Sequence, residues 1–365
     1  MRMIGKLMAI AVAVLAFAAA PAMADETQTY SGTVGTSPVV VYLESNDDGV
    51  SGQYFYNRTG FDIPLTGAWR GDTLTLESRT TEDKLALHRI ADGLSGTLTT
   101  KAGRRFVVTL SQASAPASNP GFPEGLTEYQ RLRLASLTLT PGEQQTIGGR
   151  TIRWYSEARS GTRLFRIESG YPKAVLMRVN AALTQTQWSH IDWWFGCPGW
   201  DGGSGVENDT ASAPYLGDTI ISYRWNASWG CAGTAHPDFG IEGHSYSAGT
   251  GAELELDDLL RFGDGDVPAA QTSAWYGYRS ETFGPGVVAL LERHYPDAMR
   301  VPEDDDGCDY TDADVWNFPA WYATQQGLYL GASFARVMRA CDNPEWSVIP
   351  WQALNGPAAP QGVDS

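Results

Sequence analysis

From residue 30 to residue 112 the chain runs in short stretches where apolar and polar positions alternate, each closed by Gly, Asn or Asp. "SPVVVYLE" stops at "NDDG", "SGQYFY" at "NRTG", and "FDIPLTGAW" at "RGDTLTLES"; "LSGTLTT" and "RRFVVTLS" flank Lys101-Ala102-Gly103. Period-two alternation punctuated by turn formers about every ten residues predicts an antiparallel meander. Residues 25–112 are therefore expected to form an all-β N-terminal domain, an antiparallel barrel or sandwich of roughly six to eight strands. Within it "LTGAWRGDTLTL" and "LSGTLTTKAGRRFVVTL" echo each other as Leu, a small hydroxyl residue, Gly, strand, turn and strand.

The pattern then breaks. "SQASAPASNPGFPEG" carries Pro116, Pro120 and Pro123 among small polar residues. Such a composition favours neither helix nor sheet, so residues 113–127 are read as an interdomain linker. Beyond it the periods mix. "LRLASLTLTP", "TIRWYSEA" and "TRLFRIESGYP" read as strands. "PKAVLMRVNAALTQTQWSHIDWW" opens with Pro172 at a helix-starting position and repeats apolar residues at Val175, Leu176, Val179, Ala182 and Leu183, the spacing of a helix face. "PGWDGGSGVENDTASAP" reads as a loop and "DTIISYRWNASW" as a strand. "HSYSAGTGAELEL" reads as a hairpin, and "DDLLRF" and "GPGVVALLERHY" as helices. "GLYLGASFARVMRA" and "SVIPWQAL" close the ordered chain. Without regular βαβ alternation, residues 128–355 are expected to form an α+β domain, with a disordered tail at 356–365.

The first 24 residues change the picture of where the protein works. Arg2 and Lys6 precede an apolar run, and Ala22 and Ala24 stand before Asp25 as a cleavage site requires. Residues 1–24 are read as a signal peptide, which predicts a periplasmic or secreted protein with no stable membrane insertion after cleavage. The formal charge of the 365-residue chain is −16, and losing Arg2 and Lys6 takes it to −18. That surface disfavours nucleic acid and anionic lipid, and favours a cationic partner. In an exported protein four cysteines imply two disulfides. Cys197–Cys231 with Cys308–Cys341 is the preferred pairing, because each bond encloses one plausible unit and neither crosses the other. Each should contribute on the order of 3 kcal/mol through its loop of roughly thirty residues.

Paired sulfurs leave little for catalysis. In "CAGTAHPDFG" Cys231 is spoken for, and His236 is expected to bond nearby backbone and order the turn, with ligand contact as its second role. No His pair has helical i, i+4 spacing, and no Cys-x-x-Cys occurs, so no zinc site is expected. "EDDDGCDYTDAD" fails as an EF-hand: with Gly307 at loop position six, Pro302 and Ala313 fill the two essential acid positions. An irregular calcium site at Asp304, Asp306 and Asp309 is the one weak metal candidate. No phosphate-binding loop, G-x-S-x-G or H-E-x-x-H appears, and no cofactor is expected. The aromatics are the better binding candidates: Trp193, Trp194, Trp200 and Trp229 crowd the first disulfide and a glycine-rich loop.

One segment carries a family resemblance. "DTIISYRWNASWGCAGTAHPDFGIEGHSYSAGTGAELELDDLLRF" resembles the extracytoplasmic domain shared by the lysozyme-sensing anti-sigma factor RsiV and the peptidoglycan deacetylase PdaC. That domain has a strand, a Gly-Gly-Ala-His-Pro-like turn, a hairpin and an x-L-x-L-x-D-L-F element. Gly233, Thr234, Ala235, His236 and Pro237 occupy the turn, with Thr234 in place of the second glycine. Glu253 to Leu260 match the last element, and "IPWQAL" is similar to the family's ending. The "GTVGTSPVVVYLE" region resembles a β-module that precedes this domain in secreted Gram-negative proteins. The resemblance implies an envelope protein with a binding role. It does not imply deacetylation, since the Asp-Asp and His-x-x-x-His metal pattern of that activity is absent. The expected function is non-catalytic binding of peptidoglycan or another glycan, or of a cationic wall-active protein such as lysozyme. The alternatives are a cell-wall polysaccharide hydrolase with an unrecognised carboxylate pair, and an envelope scaffold.

Overall fold

The computed structural model describes residues 26–114, 119, 121–303 and 307–360. The proposed signal peptide therefore lies outside the described residues, as do Pro116, Pro120, Asp304 and Asp306.

Eight strands make the first domain: β1 (Glu26–Val34), β2 (Ser37–Asn46), β3 (Gly49–Tyr56), β4 (Ile63–Arg70), β5 (Thr73–Glu77), β6 (Lys84–Ile90), β7 (Gly93–Thr99) and β8 (Arg105–Gln112). Each pairs antiparallel with the next, and β1 also pairs with β8, which closes a barrel and removes both sheet edges. Of the two architectures expected from the pattern, this is the barrel. Alternation decides the interior. Leu74, Leu76, Leu85, Leu87, Leu94, Leu98, Val108 and Leu110 fill it, while the residues between them face outward. The internal echo has a steric cause. Gly67 and Gly96 occupy the echoed position, and at each a Cβ would run into a neighbouring strand's carbonyl, of Thr75 and of Ala86.

The stretch read as linker packs in part: Phe122 is buried edge-on against Trp188, at a centroid distance of 5.0 Å. The segment read as a strand from Leu132 is helical over its first three residues and becomes strand only from Leu139. In α1 (Glu128–Leu134) the Thr127 side chain accepts from the Gln130 backbone N–H, and the Gln130 side chain accepts from the Thr127 N–H. This capping box fixes the helix start and overrides the alternating leucines. Tyr129 from α1 packs on Val40 and Phe55, on the outside of the barrel. There Arg133, 2% exposed at its side chain, pairs with Asp62 at 2.5 Å.

Next comes a sheet of order β11-β10-β9, from β9 (Leu139–Ile147), β10 (Arg150–Glu157) and β11 (Arg163–Ile167). Helix α2 (Lys173–Gly196) follows, with Pro172 as its N-cap, and buries Val175, Val179 and Leu183 as their spacing predicts. A second sheet holds β12 (Val206–Ala211), β13 (Tyr215–Leu216), β14 (Ile220–Trp229) and β15 (Asp238–Ser247), with β14 paired to the other three. Tyr223, Trp225 and Tyr246 of this sheet share one core with α2, Ile152 and Phe165. The remaining chain forms α3 (Leu256–Leu259), α4 (Ser273–Tyr278), α5 (Gly284–His294) and the small sheet β16 (Ala320–Ala323), β17 (Gly327–Gly331), β18 (Val348–Pro350). These enclose a separate core around Trp316, Phe283 and Leu291. Strands and helices are mixed in this half, as the α+β expectation has it in outline. Both disulfides form as paired from the sequence, with Cα–Cα distances of 4.9 Å for Cys197–Cys231 and 5.5 Å for Cys308–Cys341.

Candidate functional site

Three elements converge beside the first disulfide. On α2, His190 and Trp193 stand three residues apart and so share one face. On β14, Trp225, Ala227 and Trp229 share one face of the strand by its period of two. On β15, Glu242 and His244 lie directly across from Trp225 and Tyr223. Ser189, His190, Trp193, Ala227, Trp229 and Glu242 line the pocket that results, about 380 Å3 in volume. Cys197 ends α2 and Cys231 follows β14, so their bond ties the helix end to the strand end and sets Trp193 against Trp229. Those indoles stand nearly perpendicular, at 86°, with centroids 5.4 Å apart.

His190 is held on every side. Its Nδ1 lies 2.8 Å from Asp209 Oδ1. The same oxygen accepts from the Trp225 indole N–H, and Asp209 Oδ2 accepts from the Thr162 hydroxyl at 3.3 Å. A carboxylate that only accepts requires the proton on Nδ1, so in the neutral ring the Nε2 lone pair is the one that faces the pocket. The ring lies flat on Trp225 at 3.7 Å, and its other neighbour is the Trp193 ring, at a right angle. Nε2 lies 3.8 Å from Glu242 Oε2, and His244 Nε2 lies 3.3 Å from Glu242 Oε1 without aligning as a hydrogen bond. Burial holds the His244 imidazole below its ordinary pKa; the Glu242 charge opposes that and His190 adds to it. The ring stacks on Tyr223, whose hydroxyl burial pushes well above the usual phenol range. A preorganised imidazole, a carboxylate 62% exposed at its side chain and two indoles thus face one cavity.

The candidates read from the sequence divide. Trp193 and Trp229 line the pocket together. Trp194 turns inward against Phe61 and Phe195, and Trp200 is 72% exposed in the following loop, outside the pocket lining. His236 is exposed, and its ring makes no hydrogen bond among the described residues. The turn is ordered by Thr234, whose hydroxyl donates to the Cys231 carbonyl at 2.7 Å, so the backbone role expected of His236 belongs to Thr234. Of the calcium candidates, Asp309 is described. Its carboxylate accepts from the Thr311 backbone N–H and hydroxyl, within its own turn. Among the described residues no three His, Cys, Asp or Glu side chains converge to hold a metal ion.

Sequence reasoning passed over His190, Asp209, Glu242 and His244. Asp209 lay in a stretch read as loop, which is instead β12, held by backbone pairing to β14 rather than by apolar alternation. The legible signals were short ones: His and Trp at i, i+3 on α2, and Glu and His at i, i+2 on β15.

No family model and no curated protein matches this chain. Among the described residues no helix is long and apolar enough to cross a membrane.

Proposed function

We propose that the protein is an exported, non-catalytic component of a bacterial cell envelope that binds wall glycan in the Trp193–Trp229 pocket. One observation carries this: two perpendicular indoles, with His190 and Glu242 beside them, line a cavity of about 380 Å3, within the size range of small-ligand sites. A pyranose ring presents an apolar face to an aromatic wall and hydroxyls at its edge. Neither pocket indole N–H has a hydrogen-bond partner among the described residues, which leaves both for such hydroxyls. Two disulfides support an oxidising compartment, and the charge of −16 supports a partner that is neutral or cationic. The test is quenching of tryptophan fluorescence by peptidoglycan fragments, with Trp229→Ala beside the parent. Saturable quenching, weakened about tenfold by the substitution, is expected. Parent and variant binding alike, or neither binding at all, would refute the assignment.

A second reading has one observation in its favour. Asp209 orients His190 as a third group orients a general base, with Nε2 open to the pocket. Soluble sugar or muropeptide released from purified wall, and abolished in His190→Gln, would make the site a hydrolase.

A further inference from the structure

Glu242 is the one charged side chain lining the pocket, and its ion-pair partners among the described residues are two imidazoles, with no Lys or Arg. The acceptors are therefore concentrated at one corner. Glu242 Oε2 and His190 Nε2 stand 3.8 Å apart, and nothing among the described residues bridges them. With the His190 ring neutral, one nitrogen can sit about 2.9 Å from both atoms, but it must carry at least two hydrogens to satisfy both. A hydroxyl has one hydrogen to give, and so has an N-acetyl amide. An ammonium has three and accepts none. Trp193 and Trp229 stand around that corner, and the face of an indole attracts a cation through its quadrupole. The charge of −16 adds a field of the same sense.

We infer that the pocket selects saccharides carrying a free ammonium, that is, de-N-acetylated amino sugars, over their N-acetylated counterparts. The ammonium seats between Glu242 and His190 Nε2, and the sugar ring lies against the tryptophans. The inference rests on the glycan reading above and narrows it. An N-acetyl group in the same place would offer the acceptor pair a single hydrogen and would set its carbonyl oxygen beside the Glu242 carboxylate.

The experiment titrates the full chain with a β-1,4-linked glucosamine tetramer and with the N-acetylglucosamine tetramer, near pH 6.5, by calorimetry. A trilysine peptide is the control for bare ammonium binding. The glucosamine tetramer is expected to bind about tenfold more tightly than its acetylated form. Glu242→Gln is expected to weaken binding of the glucosamine tetramer about tenfold and so remove that preference. Because the Glu242 side chain is largely exposed, the variant is expected to melt with the parent, which a thermal scan checks. Equal affinity for the two tetramers, or tighter binding of the acetylated one, overturns the ammonium inference and leaves the glycan reading standing. Binding of trilysine without either tetramer, or binding of none of the three, overturns both.

Discussion

Asp209 is the buried centre of the site, and two substitutions there should differ in a way the geometry dictates. The carboxylate is 6% exposed at its side chain and accepts from the His190 Nδ1–H, the Trp225 indole N–H and the Thr162 hydroxyl. Asp209→Ala leaves the two ring donors facing apolar surroundings. An unsatisfied buried donor costs about 1–3 kcal/mol, so the pair should cost about 4 kcal/mol. Asp209→Asn is gentler. With its amide oxygen in the Oδ1 position it still accepts from both rings, and the Thr162 hydroxyl turns to accept from the amide N–H. It loses only the advantage of a charged acceptor, about 1 kcal/mol per ring donor and about 2 kcal/mol in all. At ~2–4 °C per kcal/mol for a domain of this size, Asn should lower the melting temperature by about 4–8 °C and Ala by about 8–16 °C. Near-UV circular dichroism follows the transition, because Trp225 and Trp193 sit in the perturbed region. Equal melting temperatures for the two variants, or Asn the less stable, would refute the hydrogen-bond account of the dyad.

His244 predicts a pH dependence of stability. Its folded pKa is depressed by burial, so below the ordinary imidazole value of about 6.5 the unfolded chain takes up a proton that the folded chain refuses. Its contribution is present in full above that value and is lost as pH falls through the window beneath it. Urea titrations from pH 7.5 to 5 should show a slope that His244→Gln reduces; an identical slope in the variant would exclude His244 as its source. At the barrel contact, Arg133→Met should cost about 3–5 kcal/mol, because Asp62 and Asp192 stay buried without their cation. Chemical denaturation measures this, and a variant as stable as the parent would count against the pair.

The strands of the first domain were legible because their signal is local and repeated: each announces its buried face by alternation and its end by a turn residue, whereas the β1–β8 pairing that makes a barrel of them rather than a sandwich is long-range. The α2 helix and both disulfides were legible for similar reasons, from apolar spacing and from cysteine count in an exported chain. The site was half legible. Trp193 and Trp229 stood out as aromatics near a disulfide, but nothing in the order of residues distinguishes them from Trp194, which faces the core, or from Trp200, which faces solvent. His190, Asp209 and Glu242 meet only because α2 crosses β12, β14 and β15. Their separations along the chain reflect that crossing and no short-range chemistry. Thr127 marks the opposite case, a cap whose partner Gln130 lies within one turn. The cap is local enough to read, but the leucines that follow alternate as a strand would.

The same contacts give the barrel a role in the site without placing a residue in it. The Asp62 backbone N–H donates to the Phe195 carbonyl at 3.2 Å, and Phe61 packs on Trp194 and Phe195. Arg133 joins Asp62 of the barrel to Asp192 of α2, and Gln130 donates to Asp192 at 2.7 Å. All these grips fall between Asp192 and Phe195, the turn that carries Trp193 and follows His190 by two residues. On its far side the same helix end is held by Cys197 to the strand that carries Trp229. A helix end clamped from both sides cannot rotate without breaking a buried ion pair or a disulfide. Rotation by even one residue, about 100° on a helix, would carry Trp193 away from Trp229 and take His190 off Asp209. The β-module is thus one half of the clamp that keeps the pocket's aromatic walls in register.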